Sequence, residues 1–154
     1  MSVLRLLHFL GMAMWFGGAL AAMIIVVNVR QKEWTVRAVV YPLLAKVHVV
    51  VVGPGALLTV LTGLLMMGVL VTGGMGEMMG RPSIIVMQTA GIVAGLIALL
   101  GGMPTAQAAA RAASQDETPD NVSLLARLGK RQAMVSSTAG VLYLVALGGV
   151  VLLP

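Results

Sequence analysis

The length of its apolar runs constrains this chain more than any other feature. Four stretches, at about 3–29, 43–71, 83–103 and 133–153, each reach the roughly 20 mostly apolar residues that a membrane-crossing helix needs. Backbone groups in hydrocarbon must bond within their own segment, so the runs are expected to be helices. A barrel would instead show many short alternating strands. Only 10% of the 154 residues are charged, against about 25% in a soluble domain, which excludes an ordinary water-soluble fold. The expected fold class is all-α, one four-transmembrane-helix bundle over residues 1–154. The first run is read as a retained span, because it outlasts the roughly 7–15 residues of a signal-peptide core and Arg30, Lys32 and Arg37 follow it at once.

Orientation follows from the basic residues. Arg30, Lys32, Arg37 and Lys46 lie in or beside the first connection, and Arg111, Arg127, Lys130 and Arg131 in or beside the third. The other side holds only Arg5 and Arg81. The positive-inside rule therefore puts both termini in the extracytoplasmic space and makes the chain a multi-pass protein of the cell's inner (plasma) membrane. The net charge of +5 is spread thinly between apolar runs rather than gathered on a polar face, so the expected partner is a lipid bilayer and no nucleic acid. In the third connection, 106–113 is Ala-rich and extends the third helix, 115–121 reads as a turn, and Ser123 is expected to cap a short amphipathic entry to the last span.

Few groups here can do chemistry. Cys is absent, which removes disulfides, iron–sulfur clusters, thioether-linked haem and thiolate zinc. No phosphate loop and no nucleophile with a paired base is visible. His8 is the leading candidate, because ionisable groups within spans are default site candidates. On a helix it shares a stripe with Arg5, Met12, Trp15, Ala19 and Ala22. That order suits b-type haem: His8 on iron, Arg5 on a propionate, Trp15 packing on the ring and small residues admitting the macrocycle. The plain alternative is an interfacial imidazole bonded to a neighbouring helix or to water.

His48 lies near the opposite rim, its depth differing from that of His8 by roughly 20 Å or more at 1.5 Å per residue. Two axial imidazoles on one metal sit only about 4 Å apart, so one chain's two histidines are not expected to share an iron. Methionine is the third feature. Of twelve, nine belong to the outer half: Met1, Met12, Met14, Met66, Met67, Met75, Met78, Met79 and Met87. Thioethers favour Cu(I), giving a copper site from His8, Met12 and loop Met residues. They equally suit His/Met haem ligation, with Met87 or Met66 opposite His8 and Gln88 as a polar neighbour. For any single Met, flexible apolar filling is the simpler account.

Other spans carry structural signals. Gly53-Pro54-Gly55 predicts a kink, and Thr59, Thr62 and Met66 form a stripe above it. Gly91 and Gly95 form a Gly-x-x-x-Gly pair expected to bring helices close, and Ser136, Ser137, Thr138 and Tyr143 are expected to hydrogen-bond between helices.

Leu7-His8 followed by Trp15-Phe16-Gly17-Gly18, with Pro54-Gly55-Ala56-Leu57-Leu58-Thr59 and Thr62-Gly63-Leu64, resembles a class of small bacterial membrane proteins. That class includes the HemJ-type protoporphyrinogen oxidases, the CopD-type copper-resistance membrane proteins and several uncharacterised integral-membrane families. The resemblance covers mainly the first two spans. It implies a four-helix fold able to hold b-type haem on His8. The HemJ-type enzymes also carry a Lys early in the third span, where this chain has Val86-Met87-Gln88-Thr89 and no Lys. The likeness thus implies the haem ligand and does not carry protoporphyrinogen oxidation with it. Three functions are expected from these observations: a b-type haem redox or electron-transfer protein, a copper-handling protein, or a cofactor-free accessory subunit. The redox reading implies a quinone or a respiratory partner, and a homo-oligomer or larger membrane complex is compatible with all three.

Overall fold

The computed structural model describes residues 2–74 and 76–152, apart from the side chains at 78, 79 and 150–152. Four helices account for nearly all of them: Ser2–Val29, Trp34–Thr72, Pro82–Ala113 and Pro119–Leu152. Each is long and apolar enough to cross a membrane. Their outward faces are apolar too, with Leu100 73% and Val3 69% exposed, a surface that acyl chains accept and water would penalise. The first helix packs chiefly on the Gly53–Thr72 part of the second, and the third chiefly on the fourth.

Small residues make these contacts. Ala56, Ala94 and Ala113 are wholly buried, and among the described residues no large side chain is. In lipid, apolar burial drives little helix association, so close backbone approach and dispersion do the work. The tightest crossing joins the first two helices. A Cβ on Gly55 would stand 2.6 Å from the Trp15 nitrogen, and one on Gly11 would stand 2.9 Å from the Gly55 carbonyl. The Gly91/Gly95 expectation holds only by half. A Cβ on Gly95 would meet Val60 at 2.6 Å, whereas Gly91 has open space around it.

Pro54 is absorbed by a wide turn. Over His48–Val52 the helix relaxes to π geometry, the Gly53 N–H reaching back to the His48 carbonyl. The wider turn accommodates a proline ring that an α-turn would drive into the preceding carbonyl. The same device recurs at Ala98–Gly102, where the Met103 N–H bonds the Ala98 carbonyl just before Pro104. Pro104 therefore sits within a continuous helix, which runs on to Ala113 as the Ala-rich 106–113 segment was expected to do.

At one end of the bundle the first and third connections meet. The Trp34 indole donates to the Gln115 carbonyl at 3.0 Å and packs with Val29, Tyr41, Ala112 and Leu125. The first connection is consequently shorter than its polar composition implied, the second helix already starting at Trp34. The fourth helix starts at Pro119, and Thr118 Oγ1 accepts the Asn121 N–H at 3.2 Å. Thr118, not Ser123, is thus the capping side chain, with proline in its favoured first position. Ser123 Oγ donates to the Asp120 carbonyl within the helix.

Candidate functional site

Two polar centres lie inside the helices, one on each histidine. Thr62 Oγ1 donates its single proton to the Leu58 carbonyl at 2.6 Å. It can then only accept from His8, whose Nδ1 stands 3.0 Å away. The imidazole is therefore the Nδ1–H tautomer, its Nε2 lone pair is unused, and its Cε1 rests 3.3 Å from where a Cβ on Gly63 would be. A ring-nitrogen proton anchored on an oxygen while the other nitrogen keeps its lone pair is the arrangement metal-binding histidines adopt. His8 is half-buried and faces the second helix.

The other expected site residues spread around it. Arg5 is exposed; Met12, one turn further along the first helix, is half-buried. Met66 is half-buried one turn beyond Thr62, on the face of the second helix that meets His8. Met87 and Gln88 are half-buried on the third helix, which belongs to the other packing pair, and Gln88 Nε2 is buried without a hydrogen-bond partner. Trp15 is only 4% exposed, packed among Val52, Ala56, Ala94 and Ala98, with its ring edge-on to Tyr143 at 5.5 Å. Met1 and Met75 fall outside the described residues, as do the side chains of Met78 and Met79.

The second centre is built on His48. Its Nδ1–H donates to the Leu44 carbonyl at 2.9 Å, and its Nε2 accepts from Gln132 Nε2 at 2.9 Å. Both residues are buried, His48 at 4% and Gln132 at 8% exposure. They border a cavity of about 320 Å³ between the first and fourth helices, floored by the two π turns. Trp15, Phe16, Ser136 and Tyr143 also line it, and Phe16 stacks on Tyr143 at 5.1 Å. Ser136 and Tyr143 thus face a cavity rather than bridging helices in the expected way, and Thr138 is exposed on the outer surface. His48 lies fourteen residues from Thr62 along one helix, so the two centres stand roughly 20 Å apart at 1.5 Å per residue.

Gln132 is the partner that reading the sequence did not assign; Thr62 stood on a stripe already singled out, though its pairing with His8 was not. The signal for Gln132 is its place on a stripe with Ser136, Ala139 and Tyr143, one face of the fourth helix. Among the described residues, no three His, Asp or Glu side chains come together as a carboxylate–imidazole metal cluster would require. No family model, curated protein or solved structure matches the chain.

Proposed function

We propose that this chain is an integral membrane b-type haem-binding redox protein in which His8 supplies an axial ligand. The observation that carries the reading is the Thr62 hydroxyl, which fixes the His8 tautomer and leaves Nε2 with a free lone pair. Met66 is favoured over Met87 as the opposite ligand, since Met66 shares with Thr62 the helix face that holds His8. The unpartnered Gln88 amide N–H is suited to an acceptor such as a propionate oxygen. Trp15 is packed toward the cavity beside His48, so it is given no ring contact. When bound, haem would supply one-electron redox chemistry. The protein's own contributions are to orient the imidazole through Thr62 and to keep water from it with the surrounding apolar turns.

The same imidazole, with Met12 one turn along its own helix and Met66 one turn beyond Thr62 on the second, also suits Cu(I), and this is the second reading. A visible spectrum of the purified protein, oxidised and then reduced with dithionite, separates the two. The haem reading expects a Soret band that shifts on reduction and disappears in His8→Ala. A protein without that band but with stoichiometric copper, lost in the same variant, would establish the second reading instead. The orientation with both termini outside the cytoplasm is part of the proposal and rests on the eight basic residues at one end against two at the other.

A further inference from the structure

The cavity beside His48 and Gln132 has a chemistry of its own, independent of any iron at His8. The Leu44 carbonyl can only accept, so the neutral His48 ring must carry its proton on Nδ1 and present a lone pair at Nε2. That lone pair orients the Gln132 amide, whose NH₂ must face it. The second amide proton reaches Ser136 Oγ at 3.4 Å. Both donors of Gln132 are then used, and its carbonyl Oε1 is buried with no partner. A buried unpaired amide carbonyl costs about 1–3 kcal/mol, which a ligand bringing a hydrogen-bond donor would recover.

The walls narrow the ligand class. On one side stand the rings of Trp15, Phe16 and Tyr143; on the other, Val52, Ala98 and Gly102 leave a shallow, small-residue surface. The edges are formed by residues exposed on the lipid-facing surface, Leu20 at 44%, Val141 at 60% and Leu144 at 57%. The cavity therefore opens sideways between the first and fourth helices into the bilayer core. Its volume of about 320 Å³ is at the lower end of small-molecule sites. The occupant it suits is lipid-soluble, with a flat ring, a hydroxyl donor and an apolar tail that can leave through the mouth.

We infer that this cavity binds the reduced, hydroquinone form of a tailed aromatic compound, its hydroxyl donating to Gln132 Oε1 and its ring lying between the aromatic wall and the two π turns. The oxidised quinone has only carbonyl acceptors and cannot pair with Gln132 Oε1, so that oxygen favours the reduced form, although the Ser136 and Tyr143 hydroxyls on the same lining can donate to either. An aliphatic alcohol offers the same hydroxyl without the ring.

The test uses the full chain in lipid nanodiscs, titrated with a labelled decyl-tailed hydroquinone under anaerobic reducing conditions. The expected result is saturable binding at one site per chain, at least tenfold weaker binding of the corresponding quinone, and no displacement by 1-decanol. Gln132→Leu should weaken binding at least tenfold. Gly140→Leu should abolish it, because a side chain at Gly140 meets open space at the cavity wall and so fills the site without a clash in the fold. Equal binding of quinone would overturn the role of Gln132, and displacement by decanol would overturn that of the ring. Undiminished binding in Gly140→Leu would remove the ligand from this cavity, and the absence of saturable binding to the parent chain would end the inference.

Discussion

Thr62 is a β-branched residue in the middle of a membrane helix, where its hydroxyl has an ordinary use in bonding the carbonyl four residues back. That ordinary use is what makes it informative. Because the proton is committed to Leu58, the oxygen facing His8 is an acceptor, and a single hydrogen bond settles which imidazole nitrogen is free. Thr62→Val keeps the shape and removes the acceptor. On the proposed reading it should weaken haem or metal binding by about 10–100-fold without abolishing it, as loss of an orienting partner does elsewhere. The measurement is the retention of the Soret band, or of copper, through graded chelator or apo-acceptor competition. Retention equal to the parent would mean that the His8–Thr62 bond is structural only. His48 shows the complementary case: its two nitrogens are both engaged, by Leu44 and Gln132, so it has no lone pair to offer a metal.

At the scale of the helices, glycines and prolines decide the packing, but only where a neighbour comes close. Gly91 and Gly95 look alike in sequence, and the structure separates them because Val60 stands over one and nothing stands over the other. Gly95→Ala should therefore force a valine rotamer change and Gly91→Ala should be nearly silent. Gly55→Ala is the severe case, since its Cβ would meet the backbone nitrogen of Trp15 and the carbonyl of Gly11, neither of which can swing aside. Overpacking of this kind costs about 1–3 kcal/mol or more. Thermal unfolding in detergent, followed by loss of the monodisperse species, should rank the three variants Gly55→Ala least stable, then Gly95→Ala, then Gly91→Ala. The two π turns belong to this scale as well. Each precedes an X-Pro pair, each floors the cavity, and each places a buried residue, His48 or Gly102, against Gln132 or its helix. Proline was legible as a kink signal at Pro54, and the Ala-rich 106–113 segment signalled that the third helix continues past Pro104; the wide turn upstream that makes Pro104 tolerable was not legible.

For the molecule as a whole, the indole–carbonyl bond from Trp34 to Gln115 ties the two Lys/Arg-rich connections to one end of the bundle. If that end is cytoplasmic, a reporter fused after Pro154 that is active only outside the cytoplasm should be active, and the same reporter at Glu117 should be silent. The reverse pattern would invert the proposed topology. Neither result bears on the cofactor.

Hydropathy and basic-residue placement are properties of residues taken in order along the chain, which is why four spans, an all-α class and the segregation of charge to two connections were readable from the amino acids alone. The separation of His8 from His48 was readable for the same reason, since helix rise converts residue number to depth. Rotation of each helix about its axis is different. In a bilayer both faces of a helix are apolar, so hydrophobic periodicity gives little guidance to which side meets a neighbour. That is why Met66 and Met87 stood level as candidates, and why Trp15 was assigned to a ring near His8 although it packs toward the cavity. It is also why Gln132, 84 residues from His48, went unassigned. The meeting of those two side chains depends on how small residues let four backbones approach one another, and that exists only in three dimensions.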